Sequence, residues 1–330
     1  MNEPKISVII PLFNAEKFIR ECLISVLASK FDDYEVIIVD DCSTDNSLAE
    51  VKKLLPHFGG RLKIFSTEKN SGGAGVPRNV GLKNSSAKYV TFIDNDDMIL
   101  PDALKNFFDI AEFYQADVVC AERYFVTEKN LRGKNLKVVL CDSIENLVEA
   151  PTPESKNLAE RIRRDIDGKF FILPWGKLYR RKFLLDNEIF FPQMRYAEDV
   201  TFCFKCLCLA KNYIRIPHMT NIRRGREEST GKMFFDTSAE GVRLWLKIFA
   251  ENIFLLDEFA GGLKIEPSLR REILAHYIGV HFKMIKNLFA GLEPPEVQKI
   301  FFDELQNLEV NQVGKNLVAA HLLTEKFLTE

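Results

Sequence analysis

A chain of 330 residues, 46% hydrophobic and 28% charged with a formal net charge of −2, has ordinary globular composition and is long enough for two packing units. The near-neutral balance gives no overall basic field, so nucleic acid is not expected as a partner and contact with a polyanion needs a local basic cluster. No cationic, apolar leader precedes the first strand pattern, Lys247, Glu251 and Asp257 interrupt the apolar C-terminal run, and seven cysteines are an odd number; the expectation is a cytoplasmic protein with reduced thiols and no membrane span.

Strand and helix patterns alternate over the first 120 residues. Ile6 to Ile10 is a β-branched run closed by Pro11, and Ala15 to Ser29 repeats apolar residues at helical spacing. Glu35 to Val39 gives a second strand ending in Asp40-Asp41, after which Ser43-Thr-Asp45 supplies cap chemistry for a helix toward Leu55. Leu62 to Phe65 predicts a third strand, Gly72-Gly73-Ala-Gly75 a loop, and Val76 to Lys83 a helix with Pro77 in its first turn. Lys88 to Ile93 predicts a fourth strand, cut off by Asp94-Asn-Asp-Asp97. This alternation implies a mostly parallel α/β sheet covered on both faces, with ligands beyond the carboxyl ends of its strands. Further strands are expected at Val118 to Ala121 and Lys137 to Leu140, and a mobile loop at Pro151 to Lys156. Cys203, Cys206 and Cys208 fall in an apolar helical run and read as packing residues. From about Asp236 the period is helical. The expected division is an α/β region 1–235, itself divided at about residue 120, and a helical region 236–330.

Asp94-Asn-Asp96, with Asp97 beside it, is the central chemical feature. Adjacent carboxylates at the end of a buried strand repel, so a cation is expected to neutralise them, and Mg²⁺ or Mn²⁺ prefers such hard oxygen ligands. An acidic turn before Pro101 is the plain alternative. Asp40-Asp41 is equally open, between helix capping and a bond to a base or ribose. The chain has neither G-x-G-x-x-G nor a Gly-Lys-Ser/Thr phosphate loop, which counts against nicotinamide enzymes and P-loop ATPases.

Ile6-Ser-Val-Ile-Ile-Pro-Leu-Phe-Asn14, Ile38-Val-Asp-Asp-Cys-Ser-Thr-Asp45, the run Asn70 to Gly81 and Tyr89-Val-Thr-Phe-Ile-Asp-Asn-Asp-Asp97 together resemble glycosyltransferase family 2. Trp175-Gly-Lys-Leu-Tyr179 and Tyr196-Ala-Glu-Asp199 extend the resemblance toward bacterial capsular polysaccharide and lipooligosaccharide enzymes. The resemblance implies a GT-A nucleotide-diphospho-sugar fold, a UDP-sugar donor, Mn²⁺ or Mg²⁺ on Asp96 and Asp94, and an inverting displacement. It places the donor base on Asp41, beside Asp40, Pro11 and Asn14. Asp94, Asn95 and Arg78 fall along the donor, and Asp199 is the base that deprotonates the acceptor hydroxyl, with Glu198 its competitor.

Arg223, Arg224 and Arg226 form the densest basic cluster after that base, and the resemblance offers Arg224 and Arg226 to the diphosphate, although the tyrosines usual before them are missing. Trp175 and Lys177 are expected along the acceptor side, with a buried tryptophan the alternative. The acceptor would be a glycan or a lipid-linked glycan, and the C-terminal helices would serve dimerisation, peripheral membrane docking or simple capping. The rival readings are a sugar nucleotidyltransferase and a non-catalytic nucleotide- or glycan-binding protein.

Overall fold

The computed structural model describes residues 3–127, 136–141, 147–225 and 239–286, with Lys299 and Asp303. These fall into two compact units that meet in sequence between Gly225 and Arg226. In the first, β1 (Ile6–Leu12), α1 (Ile19–Leu27), β2 (Tyr34–Asp40), α2 (Ser47–Leu54), β3 (Leu62–Ser66), α3 (Gly75–Asn84) and β4 (Tyr89–Phe92) follow in turn. Then come β5 (Met98–Ile99), α4 (Ala103–Tyr114), β6 (Val118–Ala121), β7 (Arg123–Thr127), β8 (Leu136–Leu140), β9 (Thr152–Pro153) and α5 (Leu158–Ile166). The unit closes with β10 (Lys177–Arg180), α6 (Arg181–Asp186), α7 (Glu198–Leu209), β11 (Tyr213–Ile216) and β12 (Asn221–Arg223).

The main sheet runs β3-β2-β1-β4-β10-β6-β11-β9, and a smaller one runs β5-β12-β7-β8. Strands β1 to β4 are mutually parallel, as their unbroken apolar sequence requires when helices cover both faces. Side-chain alternation sorts the core. Ile6, Val8 and Ile10 pack into one apolar layer with α1 and α4, while Ile9 joins Val39, Phe92 and Phe202 in the other. On that second face Gly81 of α3 lies so close to the sheet that a Cβ there would be 2.4 Å from Ile9 Cγ2. Strand order reverses between β1 and β4, and in open sheets of this kind ligands bind outside the carboxyl ends at that point, here beyond Leu12 and Phe92.

Two local expectations change. Pro11 does not end β1, which pairs with β2 as far as Leu12 opposite Asp40. Pairing with β4 stops at Ile9 opposite Phe92, so the missing proline N–H removes no ladder bond, and the Pro11 carbonyl accepts from Asn95 Nδ2 at 2.9 Å. The Pro151 to Lys156 stretch contains β9, an edge strand on β11, anchored by Glu154, which pairs with Arg215 and Arg164. Short strands with proline at an edge give little pattern to read.

In the second unit, α8 (Ala239–Gly261) and α9 (Pro267–Lys286) form a hairpin. Arg270 closes its tip on buried Asp257, reaching over Gly261 where a side chain would collide with the guanidinium. No described helix is long and apolar enough to cross a membrane.

Candidate active site

Three loops leave the carboxyl ends of β1, β2 and β3 and knit together through short polar side chains. Asn14 Oδ1 accepts from Thr44 N at 2.8 Å, Asp45 accepts from Glu16 N, and Glu16 in turn accepts from Asn46 N. Asn14 and Cys42 hold positive φ of 44° and 61°, uncommon for residues with a Cβ and sustained here by those bonds. Asp45 also accepts from Ser47 N, so it, rather than Ser43, tends the start of α2.

The resemblance puts a base on Asp41. In the structure this carboxylate is 3% exposed, and its oxygens accept from Thr67 Oγ1 at 2.7 Å and from the amide and hydroxyl of Ser71 at 3.0 and 2.9 Å. Asn70 adds a bond to the Asp41 carbonyl. Asp41 therefore organises the loop after β3. Asp40 is also buried and accepts from Ser43 N. Pro11 is buried within β1, and Phe13, just past the strand, is 45% exposed.

The acids after β4 are crowded instead. Carboxylate oxygens of Asp94, Asp96 and Asp97 lie within 4.8 Å of one another. Burial, then the charges of Asp96 and Asp94, push Asp97 well above the usual carboxylate range. This trio suits a hard divalent cation: three oxygen donors converge, and an arriving positive charge would reverse the repulsion. Arg224 braces the loop from outside. Its amide donates to Asp97 Oδ1 at 2.8 Å and its Nε to the Asp96 carbonyl, while its Nη2 pairs with Glu21. Arg224 was expected on the diphosphate; here its donors serve the acidic loop. Arg226 lies outside the described residues.

Arg78 was expected on the donor, but it is 4% exposed and spans two acids from distant parts of the chain, Asp94 at 2.7 Å and Glu198 at 3.0 Å. Burial alone would lower its pKa; the charges of Asp94 and Glu198 outweigh this and hold it cationic. Glu198, equally enclosed, is raised by burial against the pull of Arg78. Next to it, in the first turn of α7, Asp199 is partly buried and is pushed up to about 7 by burial and by the Glu198 charge. A helix N-terminus favours an anion, so desolvation and like charge prevail. That is the tuning a base needs to work near neutrality.

The acceptor-side residues are less exposed than expected. Lys177, 3% exposed, donates to the backbone carbonyls of Phe171 at 2.8 Å and Leu173, so its ammonium stitches the segment before β10 instead of lining a surface. Trp175 is buried edge-on against Tyr124 at 4.8 Å. Cys203, Cys206 and Cys208 are free thiols on α7. Sequence reasoning set Asp97 beside Asp94 and Asp96 but passed over Phe13, which an aromatic beyond a strand end could have signalled. It also passed over Asn79, although that residue lies in the Asn70 to Gly81 run that carries the resemblance.

The sequence profile of the family described as Glycosyl transferase family 2 matches residues 7–186. The chain is 30% identical over 281 residues to poly(ribitol-phosphate) beta-N-acetylglucosaminyltransferase TarS of Staphylococcus aureus strain Mu50, covering 84% of this chain and 44% of TarS. It is 28% identical over 313 residues to glycosyltransferase GlyA of Streptococcus pneumoniae serotype 4, covering 95% of this chain and 42% of that one. The chain thus spans less than half the length of these two relatives. The crystal structure of S. aureus TarS 1-349 in complex with UDP-GlcNAc superposes with a TM-score of 0.66 at 28% identity, covering 98% of this chain and 87% of that one.

Proposed function

Because the chain belongs to glycosyl transferase family 2, we propose that it moves a sugar from a UDP-sugar, UDP-N-acetylglucosamine foremost, to a hydroxyl of a cell-surface polymer with inversion at the anomeric carbon. The donor follows from the likeness to TarS with UDP-GlcNAc, and a polyol-phosphate or glycan chain is the acceptor class in keeping with the TarS name. The observation that carries the reading is Arg78, which gathers Asp94 at the end of β4 and Glu198, neighbour of Asp199, around one cation.

In this reading Asp199 takes the proton as the acceptor oxygen bonds to the anomeric carbon. The bond to the diphosphate breaks with its electron pair going to the leaving oxygen. Glu198 is held by Arg78 and leaves the role of base to Asp199. Asp96 and Asp94, with Asp97 beside them, would hold Mn²⁺ or Mg²⁺, which when bound supplies charge compensation for the diphosphate. Asp41 shapes the base pocket through the loop it orders, with Asp40, Asn14 and Asn95 fixing its walls and the Phe13 ring offering a face for the base. Trp175 and Lys177 support the acceptor side from beneath. The catalytic region is assigned to 1–235 and the region 236–330 to dimerisation or docking at the inner membrane face.

Thermal stabilisation by UDP with and without Mn²⁺ tests the donor side, and UDP release from a panel of UDP-sugars tests the chemistry. A metal-dependent shift with UDP supports the transferase. Stabilisation by nucleoside triphosphates but not by UDP would overturn it in favour of a nucleotidyltransferase.

A further inference from the structure

Helix α3 does more than carry Arg78. One residue along, the Asn79 side chain meets the backbone of Phe191 in both directions: its Nδ2 donates to the Phe191 carbonyl at 2.8 Å, and its Oδ1 accepts from the Phe191 amide at 2.9 Å. A side-chain amide used this way imitates one rung of a β-ladder, yet it joins a helix to a segment with no regular structure. The Phe191 ring continues the connection. It stacks on Phe202 at 3.8 Å with an interplanar angle of 7° and stands edge-on to Phe92 at 5.2 Å. Phe202 lies on α7 three residues after Asp199, on the neighbouring position of the same helical face.

The first turn of α3 is cut to receive this segment. A Cβ on Gly75 would lie 3.1 Å from Phe191 Cβ and 3.0 Å from Glu198 Cγ, and one on Gly73 would lie 2.6 Å from the Met194 carbonyl oxygen. Between the Asn79 clamp at Phe191 and the Arg78 pair at Glu198, the chain makes a short excursion. It re-enters α7 through Ala197, whose φ of +57° is left-handed. An alanine persists there only where its surroundings over-determine it.

We infer that Asn79 is a positioning residue: by clamping the Phe191 backbone it holds the left-handed Ala197 turn, and with it the side chain of Asp199, in the geometry needed for proton removal from the acceptor. The inference rests on the assignment of Asp199 as base. It assigns the start of α3 two duties, ordering of the acidic loop through Arg78 and registration of the α7 entrance through Asn79.

The experiment uses the full chain, with UDP release measured on whichever of UDP-N-acetylglucosamine, UDP-glucose and UDP-galactose it hydrolyses fastest. Asn79→Ala is expected to lower kcat at least tenfold while the donor KM and the UDP-induced thermal shift in Mn²⁺ stay within about twofold. Adding Ala197→Gly, which removes the need to enforce the left-handed turn, should restore part of the lost kcat. An unchanged kcat in Asn79→Ala overturns the inference, as does a parallel loss of kcat and of the UDP shift that Ala197→Gly fails to relieve. Asp199→Asn separates the two layers. Retained activity there overturns the base assignment itself, whereas an inactive Asp199→Asn beside an unaffected Asn79→Ala overturns only the positioning role.

Discussion

Asp40-Asp41 and Asp94-Asn-Asp96-Asp97 are both acidic clusters at the carboxyl ends of parallel strands that flank β1, yet they are held in different ways. Asp41 is met by a threonine hydroxyl and by the amide and hydroxyl of Ser71. The later trio crowds its oxygens together even though Arg78 pairs with Asp94 and the Arg224 amide donates to Asp97, and burial, then the charges of Asp96 and Asp94, drives Asp97 toward protonation. The same side chain is thus a finished structural joint in one loop and an incomplete charge arrangement in the other. A carboxylate ringed by hydroxyl and amide donors orders a loop; carboxylates crowded within 4.8 Å of one another favour a cation or a proton.

Asp199 gives the largest expected effect, because it is the acid least compensated by protein donors at the α7 entrance. Asp199→Asn should reduce transfer by roughly 10²- to 10⁴-fold while UDP binding in Mn²⁺ is preserved; loss of UDP binding would place it with the donor pocket. Asp96→Ala should abolish the Mn²⁺-dependent part of the UDP-induced stabilisation, which at a hundredfold excess over Kd is about 2.7 kcal/mol. Differential scanning calorimetry reads it directly, and an undiminished Mn²⁺ effect would remove Asp96 from the metal site.

Asp41→Asn should behave as a structural lesion, lowering stability by about 1–3 kcal/mol as the buried Thr67 and Ser71 donors lose acceptors. Asp97→Asn should be neutral or stabilising, since it removes a repelled charge. Chemical denaturation of the two variants side by side would break the contrast if both lost stability equally.

The smallest effect is a shift in pH dependence. Asp199 must be deprotonated to act, so kcat/KM should rise with pH through about 7. Glu198→Gln removes a charge that raises it and should move that limb to lower pH; a limb that stays in place would exclude Asp199 as its source. Stability has the opposite sign. The native chain keeps the Asp199 proton up to about pH 7, whereas the unfolded chain releases it near the ordinary aspartate value of 3.8. Its contribution to stability is therefore full below that lower value and is lost as pH rises to about 7.

Much of this was legible in the chain itself. Continuous apolar runs placed β1, β2 and β4, the latter two followed by acids, and put their carboxyl ends at the candidate site, because parallel strands covered on both faces leave only their termini for chemistry. The three cysteines of α7 read as packing residues from their apolar setting. The arginines and the lysine were harder, since a long cationic side chain carries no sequence mark of direction. Arg78 turned to Asp94 and Glu198, Arg224 to Asp97 and Glu21, and Lys177 to backbone carbonyls.

The sequence by itself determined the α/β alternation, the family and the acidic clusters that follow β2 and β4, because periodicity and local motifs are properties of neighbouring residues. Only the tertiary structure decided which acids receive protein donors, that Arg78 bridges the two halves of the site, and that Asn79 grips Phe191. Those outcomes depend on residues from 16 to 127 positions apart meeting at a few ångströms, and on burial strengthening the charges that folding brings together.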